Sequence, residues 1–327
     1  MASDDTLPKL MMRNYRRWGS NVAMRRKDFG IWQKYTWEDC YLKVKYFSLG
    51  LLSLGFKRGD KLAIIGDNDP EWYWAELSAQ AMGGAVVGVF TDSVPSEVKY
   101  IVEHSDSTFV VARDQEQVDK MLAIANELPL LEKVIYWDPK GLWTYDEPLL
   151  LSFDQVEELG KKYEEQHARL FEQNVEAGSG EDMALICYTS GTTGLPKGAM
   201  RNHDCVITMV RLMQEVAPYY GTDDYLSFTS PAWAWEQIFG LSSSLLAGTR
   251  IDFPEESETV NEDLREIAPQ ILPLGARLWE SLASTVLSKM SDAGALKKLA
   301  YNLFLPVGYK FADMSFQRKK INLFWRM

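Results

Sequence analysis

Ten residues concentrate most of the chemistry legible in this chain: Thr189-Ser190-Gly191-Thr192-Thr193-Gly194-Leu195-Pro196-Lys197-Gly198. They combine three glycines, four hydroxyl side chains and a lysine, and are entered from the apolar run Ala184-Leu185-Ile186-Cys187-Tyr188. Polyphosphate oxygens need backbone N–H groups that approach closely, short hydroxyl donors and a mobile positive charge. Glycine permits the close approach and the unusual backbone angles, and Ser, Thr and Lys supply the donors and the charge. The stretch therefore reads as a phosphate cradle at the end of a strand. It is not a Walker A loop. There a glycine followed by Lys-Ser or Lys-Thr stands after four intervening residues, whereas from Gly191 that place is Pro196, and Gly198 follows Lys197. A G-x-G-x-x-G dinucleotide fingerprint is also missing from the loop.

Elements that could position such a loop are written on either side of it. Thr36 and Asp39 form a capping-box start to a helix reaching Gly55, with Val44, Phe47, Leu51 and Leu54 at helical spacing. Strands are expected at 61–65, 85–89, 108–112 and 133–137. Helices between them are expected from Asp69-Pro70 to about Gly83, from Pro95 to His104, and over 115–128 behind Asp114. Ser152 to Gln155 is a second capping box. After the loop come a helix capped by Asn202 or Asp204, a strand near 225–229, a helix over 236–246 stopped at Gly248, and a strand at 250–253. Short apolar strands alternating with helices predict an α/β fold with parallel-rich sheets covered by helices. Gly178-Ser179-Gly180 suggests a seam, giving subdomains 1–177 and 178–327, the second carrying the loop.

Composition removes several classes of function. The 327 residues are 46% hydrophobic and 25% charged, ordinary for a globular chain, and the formal charge of −11 disfavours nucleic acid as a partner. Lys297-Lys298 and Arg318-Lys319-Lys320 are local basic exceptions that could touch a lipid surface or could be solvated helix faces. No apolar run has the length of a membrane span and the N-terminus lacks signal-peptide character, so a cytoplasmic location is expected. Cys40, Cys187 and Cys205 are odd in number and far apart, which fits a reducing compartment. Cys187 reads as a small core residue. His104, His167 and His203 are scattered and outline no metal site, so Mg²⁺ is expected only on the phosphates of a nucleotide. A local structural role is expected of His203 in the first turn of its helix.

The order Thr-Ser-Gly-Thr-Thr-Gly-x-Pro-Lys-Gly resembles the signature loop of the adenylate-forming superfamily. Around it, Ser230-Pro231-Ala232-Trp233-Ala234-Trp235-Glu236-Gln237 and Gly275-Ala276-Arg277-Leu278-Trp279-Glu280 are similar to segments of its long-chain acyl-CoA synthetase and bubblegum-like branch. Ala276 departs from the proline more usual there. The resemblance implies the front subdomains of that family's large domain, with ATP, coenzyme A and a fatty acid as substrates. It places Thr189, Ser190, Gly191, Thr192, Thr193, Gly194 and Lys197 on the ATP phosphates. Trp233 and Glu236 are assigned to the acyl pocket, Trp233 as a gate or else as an ordinary core aromatic. The implied reaction joins a carboxylate to the α-phosphate of ATP, releases pyrophosphate, then exchanges AMP for the coenzyme A thiol.

The 327 residues contain no Tyr-Gly-x-Thr-Glu motif after the loop, no later Thr-Gly-Asp segment and no C-terminal domain with the family's lysine. The sequence thus reads as the front of a longer enzyme, expected to be inactive by itself and without a catalytic residue of its own. A different adenylate-former, such as a peptide-synthetase domain or a carboxylic acid reductase module, stays open at this point. So does a non-catalytic nucleotide-binding protein.

Overall fold

The computed structural model describes residues 4–189 and 194–317. The chain opens with α1 (Leu7–Trp18), the hairpin β1 (Val22–Asp28) and β2 (Ile31–Thr36), and α2 (Trp37–Ser53). Alternating units follow: β3 (Lys61–Ile65), α3 (Pro70–Ala81), β4 (Ala85–Val89), α4 (Pro95–His104), β5 (Ser107–Ala112), α5 (Gln115–Ile124), β6 (Lys133–Tyr136), β7 (Leu150–Ser152), α6 (Phe153–Gln166) and α7 (Leu170–Ala177). The hairpin β8 (Met183–Thr189) and β9 (Lys197–Asn202) leads into α8 (His203–Val216) and β10 (Asp224–Leu226). Next comes a helix in three parts: α9 (Ala234–Glu236), a π turn over Gln237–Ser242, and α10 (Ser243–Ala247). Then follow β11 (Arg250–Phe253), α11 (Val260–Ile267), α12 (Ala276–Ser291) and α13 (Ala295–Phe316).

Among the described residues the strands form two sheets. The larger has the order β7-β6-β5-β3-β4-β8-β9 and is parallel except for the β8–β9 hairpin. The smaller has the order β10-β11-β1-β2, in which β1 and β10 lie parallel to β11. Compact units divide after Leu272, not at the 177/178 seam that the glycines suggest. The reason is hydrogen bonding: β8 joins β4 in the larger sheet, and β11 needs β1, from near the N-terminus, to complete the smaller one. Residues 273–317 belong to a second unit built from α12 and α13, the latter with Pro306 inside it.

Both capping boxes form as the sequence predicts, at Thr36/Asp39 and Ser152/Gln155. Asn202, not Asp204, caps α8, its side chain accepting from the Cys205 N–H at 2.9 Å. Asp69 stands at the start of α3 but does not cap it with its side chain. That carboxylate is buried and lies 3.0 Å from Arg26 and 3.2 Å from Arg113, and it accepts from the Trp137 indole N–H at 3.0 Å. Arg26 comes from the smaller sheet and Arg113 from the end of β5, so the ion cluster ties the two sheets together. Burial raises the pKa of Asp69, and the two guanidinium groups act against that rise.

α3 explains how the layers hold. Every residue from Pro70 to Ala81 except Glu71 is buried, including Trp72, Tyr73 and Trp74. A helix buried on nearly all sides needs neighbours on all of them, and α3 accordingly packs on α1, α2, β1, β3, β4 and α7. The expected helix over 115–128 ends at Ile124 in a 3-10 turn, and the expected strand at 225–229 stops at Leu226. Ser227 still donates its backbone N–H to the Asp252 carbonyl at 2.8 Å, and beyond it the Thr229 hydroxyl turns to Glu236.

Candidate functional site

The phosphate-cradle sequence sits at the tip of the β8–β9 hairpin. Thr189 is the last residue of β8, exposed, and pairs with Lys197, the exposed first residue of β9. Gly194 is exposed as well, and a Cβ there would meet nothing within 4 Å. Ser190, Gly191, Thr192 and Thr193 lie outside the described residues. The returning strand β9 is absent from the sequence reading, because Lys-Gly-Ala-Met-Arg-Asn has neither strand alternation nor β-branched residues. Its position explains Gly198, where a Cβ would stand 2.9 Å from the Ile186 side chain across the hairpin.

Ends of parallel strands are where open α/β sheets place ligands. β8 ends in the cradle. β3 leads into Asp67 and Asn68, β5 into Arg113 and β11 into Pro254 and Glu255, and these residues border one polar crevice together with Phe228. Asn68 donates to the Ser227 hydroxyl at 2.8 Å and to the Thr229 carbonyl at 2.7 Å, which fixes the start of the 227–237 segment. No group of His, Cys, Asp or Glu among the described residues is arranged to hold a metal ion.

The 227–237 segment lies directly on the larger sheet. A Cβ on Gly88 of β4 would fall 2.5 Å from the Ala232 Cα, so glycine at 88 is what lets the two backbones touch. Trp233 is 48% exposed, and its ring stacks on Trp235 at 5.7 Å between centroids. Trp235 in turn meets Phe239 at 4.3 Å. With half its surface open to solvent, Trp233 is not an ordinary core aromatic.

Glu236, assigned to the acyl pocket, has no exposed surface, and both its oxygens are engaged. It accepts hydrogen bonds from Tyr73 (2.9 Å), Tyr225 (2.7 Å), Ser227 (2.7 Å) and Thr229 (2.5 Å). Burial raises its pKa while the four hydroxyl donors oppose the rise. Here Glu236 ties α3 to β10 and the segment after it; it does not face a pocket. The pattern Glu-Gln before a helix gave no sign of this, because the donors come from positions 73, 225, 227 and 229. The next residue, Gln237, donates to the Pro231 carbonyl at 2.8 Å and opens the π turn, an irregularity frequent at functional sites.

Behind this segment, Leu185, Cys187, Val206, Met209, Gln237 and Ile238 border a small, mostly apolar cavity. Burial pushes the Cys187 thiol up to about 11, which keeps it protonated and fits a core residue. Beside it, along α8, runs an open apolar groove of about 780 Å³ bordered by Met209, Leu212, Met213 and Val216. His203 is buried, and its Nδ1 accepts from the Leu7 N–H at 3.3 Å. Its role is structural, but across 196 residues of sequence and not local as expected.

The same residues carry a family likeness. The family model for AMP-binding enzymes matches residues 12–308. The long-chain-fatty-acid–CoA ligase ACSBG1 of Rattus norvegicus is 25% identical over 292 residues, covering 85% of this chain and 39% of the relative. ACSBG2 of Xenopus laevis is 28% identical over 298 residues, covering 89% and 39%. The chain thus spans about two-fifths of the length of these curated relatives. Among solved structures, VinN superposes with a TM-score of 0.67 at 19% identity, covering 86% of this chain and 64% of that one. The anthranilate CoA ligase AuaEII, in complex with anthranoyl-AMP, gives 0.66 at 18%, covering 79% and 46%. Those two likenesses establish the fold.

Proposed function

Because the chain belongs to the AMP-binding enzyme family, we propose that it is the ATP- and acyl-binding front of a long-chain fatty acid–CoA ligase. The observation that carries this reading is the complete signature sequence at the tip of the β8–β9 hairpin, where β8 ends. The ACSBG names of the curated relatives support the long-chain assignment. In the proposed reaction a carboxylate oxygen attacks the α-phosphorus of ATP. The bond to the bridging oxygen breaks, and pyrophosphate leaves with that electron pair. The coenzyme A sulfur then attacks the acyl carbon and AMP departs. A carboxylate is a poor electrophile; the mixed anhydride supplies its leaving group.

This chain's part is placement and charge neutralisation. Thr189, Ser190, Gly191, Thr192, Thr193, Gly194 and Lys197 would hold the β- and γ-phosphates, with Mg²⁺ carried on the phosphate oxygens. The apolar groove along α8 offers an acyl chain the surface it needs, and Trp233, half exposed, would close over it as a gate. Location is proposed as cytoplasmic with peripheral membrane contact. Among the described residues no helix is long and apolar enough to cross a membrane. α13 carries Lys297 and Lys298 among the exposed Leu296, Leu299, Leu303 and Phe304, a mixture suited to an interface.

Calorimetry with MgATP tests the phosphate assignment. Wild-type chain should bind and Lys197→Ala should bind about tenfold more weakly; equal affinity would remove the loop from the site. In an enzyme completed with the family's remaining length, Trp233→Ala should alter the acyl chain-length profile. An unchanged profile would remove the gate.

A further inference from the structure

Both ends of the signature loop are fastened to one face of α4. Tyr188, two residues before the first undescribed position, is buried on β8, and its hydroxyl shares a 2.7 Å hydrogen bond with His104 Nδ1. Pro196, just before β9, presents its carbonyl outside the β8–β9 ladder, where it accepts from the Tyr100 hydroxyl at 3.1 Å. Tyr100 and His104 stand four apart on α4, so they share a face, and their rings stack at 5.2 Å between centroids. The Tyr100 and Tyr188 rings meet edge-on at 6.5 Å. α4 is itself immobilised: Val98, Ile101 and Val102 are buried in the same apolar cluster as Ile186 and Tyr188.

We propose that Tyr100 and His104 are positioning residues for the phosphate loop, setting the separation of its two ends from a rigid helix. Neither touches the expected place of the phosphates; each acts through the chain end that it holds. This inference rests on the phosphate-binding reading above. Fixing the two chain ends in advance lowers the cost of arranging donors around an anion, so affinity depends on the anchor as well as on the donors themselves. Tyr100→Phe tests this with least disturbance, because the ring stack stays and only the donor goes. His104→Leu removes the second tie, and His104→Gln keeps a polar group able to reach the Tyr188 hydroxyl.

The decisive measurement is amide hydrogen exchange on the full chain, with melting temperature alongside. Tyr100→Phe and His104→Leu should speed exchange at the ladder amides of β9 about tenfold, while the amides of β3 and β5 keep their protection. His104→Gln should restore most of the wild-type pattern. Unchanged exchange at the β9 ladder amides, or faster exchange spread equally over β3 and β5, would overturn the proposal. The latter would mark the pair as ordinary stabilising contacts. MgATP binding adds a separate readout: in a wild-type chain that binds, Tyr100→Phe should weaken affinity several-fold, about as expected for one lost neutral hydrogen bond. Wild-type chain that fails to bind MgATP would overturn the function proposed above. Exchange would then decide by itself whether α4 fixes the loop ends.

Discussion

The hairpin tip and the Glu236 cage contrast sharply although both were assigned to one site. Thr189, Gly194 and Lys197 are exposed, and their side chains can change with little consequence for packing. Glu236 is fully buried under four hydroxyls drawn from α3, β10 and the segment after it. Residues that meet a ligand must stay available to it, whereas a buried carboxylate is tolerated only where donors surround it. Motif resemblance treats the two alike; burial separates them.

The widest separation is expected in stability. Glu236→Ala leaves four hydroxyls without their acceptor and should cost about 4 kcal/mol or more, reckoned at about 1 kcal/mol for each orphaned group. Urea denaturation would measure it, and a loss under 1 kcal/mol would mean that the cage is not needed. Glu236→Gln, which keeps the shape, should cost clearly less. Lys197→Ala belongs at the opposite pole and is placed last below.

The pH response ranks next. Burial drives the His203 pKa from 6.5 to about 4. The unfolded chain therefore binds a proton between those values that the folded chain refuses. The stability involved is present above about pH 6.5 and is lost as pH falls towards 4, a change on the order of 3 kcal/mol. Two acids of α3 run the other way: desolvation raises the buried Glu76 to about 8 and the half-buried Glu71 to about 7. Their contribution is present below about pH 4.5 and disappears as pH rises through 7 to 8. The His203 effect is therefore read as the difference between wild type and His203→Gln. That difference should shrink with acidification from pH 6.5 to 4, and a flat difference would show that His203 is not buried as a neutral group.

Gly88→Ala should follow, at about 2 kcal/mol, because its methyl meets the Ala232 backbone, which cannot swing aside as a flexible side chain would. The consequence should be local: Trp233 and Trp235 move with that backbone, so tryptophan fluorescence should shift along with the melting temperature. A stable variant with wild-type fluorescence would break the link between sheet and segment. Smallest in stability is Lys197→Ala, expected within about 0.5 kcal/mol of wild type, in contrast to its effect on MgATP binding. A large loss of stability there would erase the distinction between the two regions.

Much of the fold was legible because its elements are locally coded. Apolar runs of five or six residues, two capping boxes and Pro95 located β3, β4, β6, α2, α4 and α6 within a residue or two. The signature loop was legible for the same reason: its chemistry is contained in ten consecutive residues. β9 was not, since its six residues gain strand structure only from the ladder that β8 offers. The π turn at Gln237–Ser242 had no local signature either.

The sequence by itself determined the family and the alternation of strands and helices, and it supplied the residues proposed for phosphate, since each depends on neighbours along the chain. Tertiary structure alone decided how the polar groups of the interior are paired. Asp69 turns from capping α3 to Arg26 and Arg113, Glu236 from the pocket to its hydroxyls, and His203 to the N–H of Leu7. Each of these groups would be costly to bury unpaired, and each finds at least one partner on an element distant in sequence. It also decided that β1 completes a sheet with β11 and that α4 grips both ends of the loop. Such pairings depend on how layers stack in space, and the order of residues along the chain does not display that stacking.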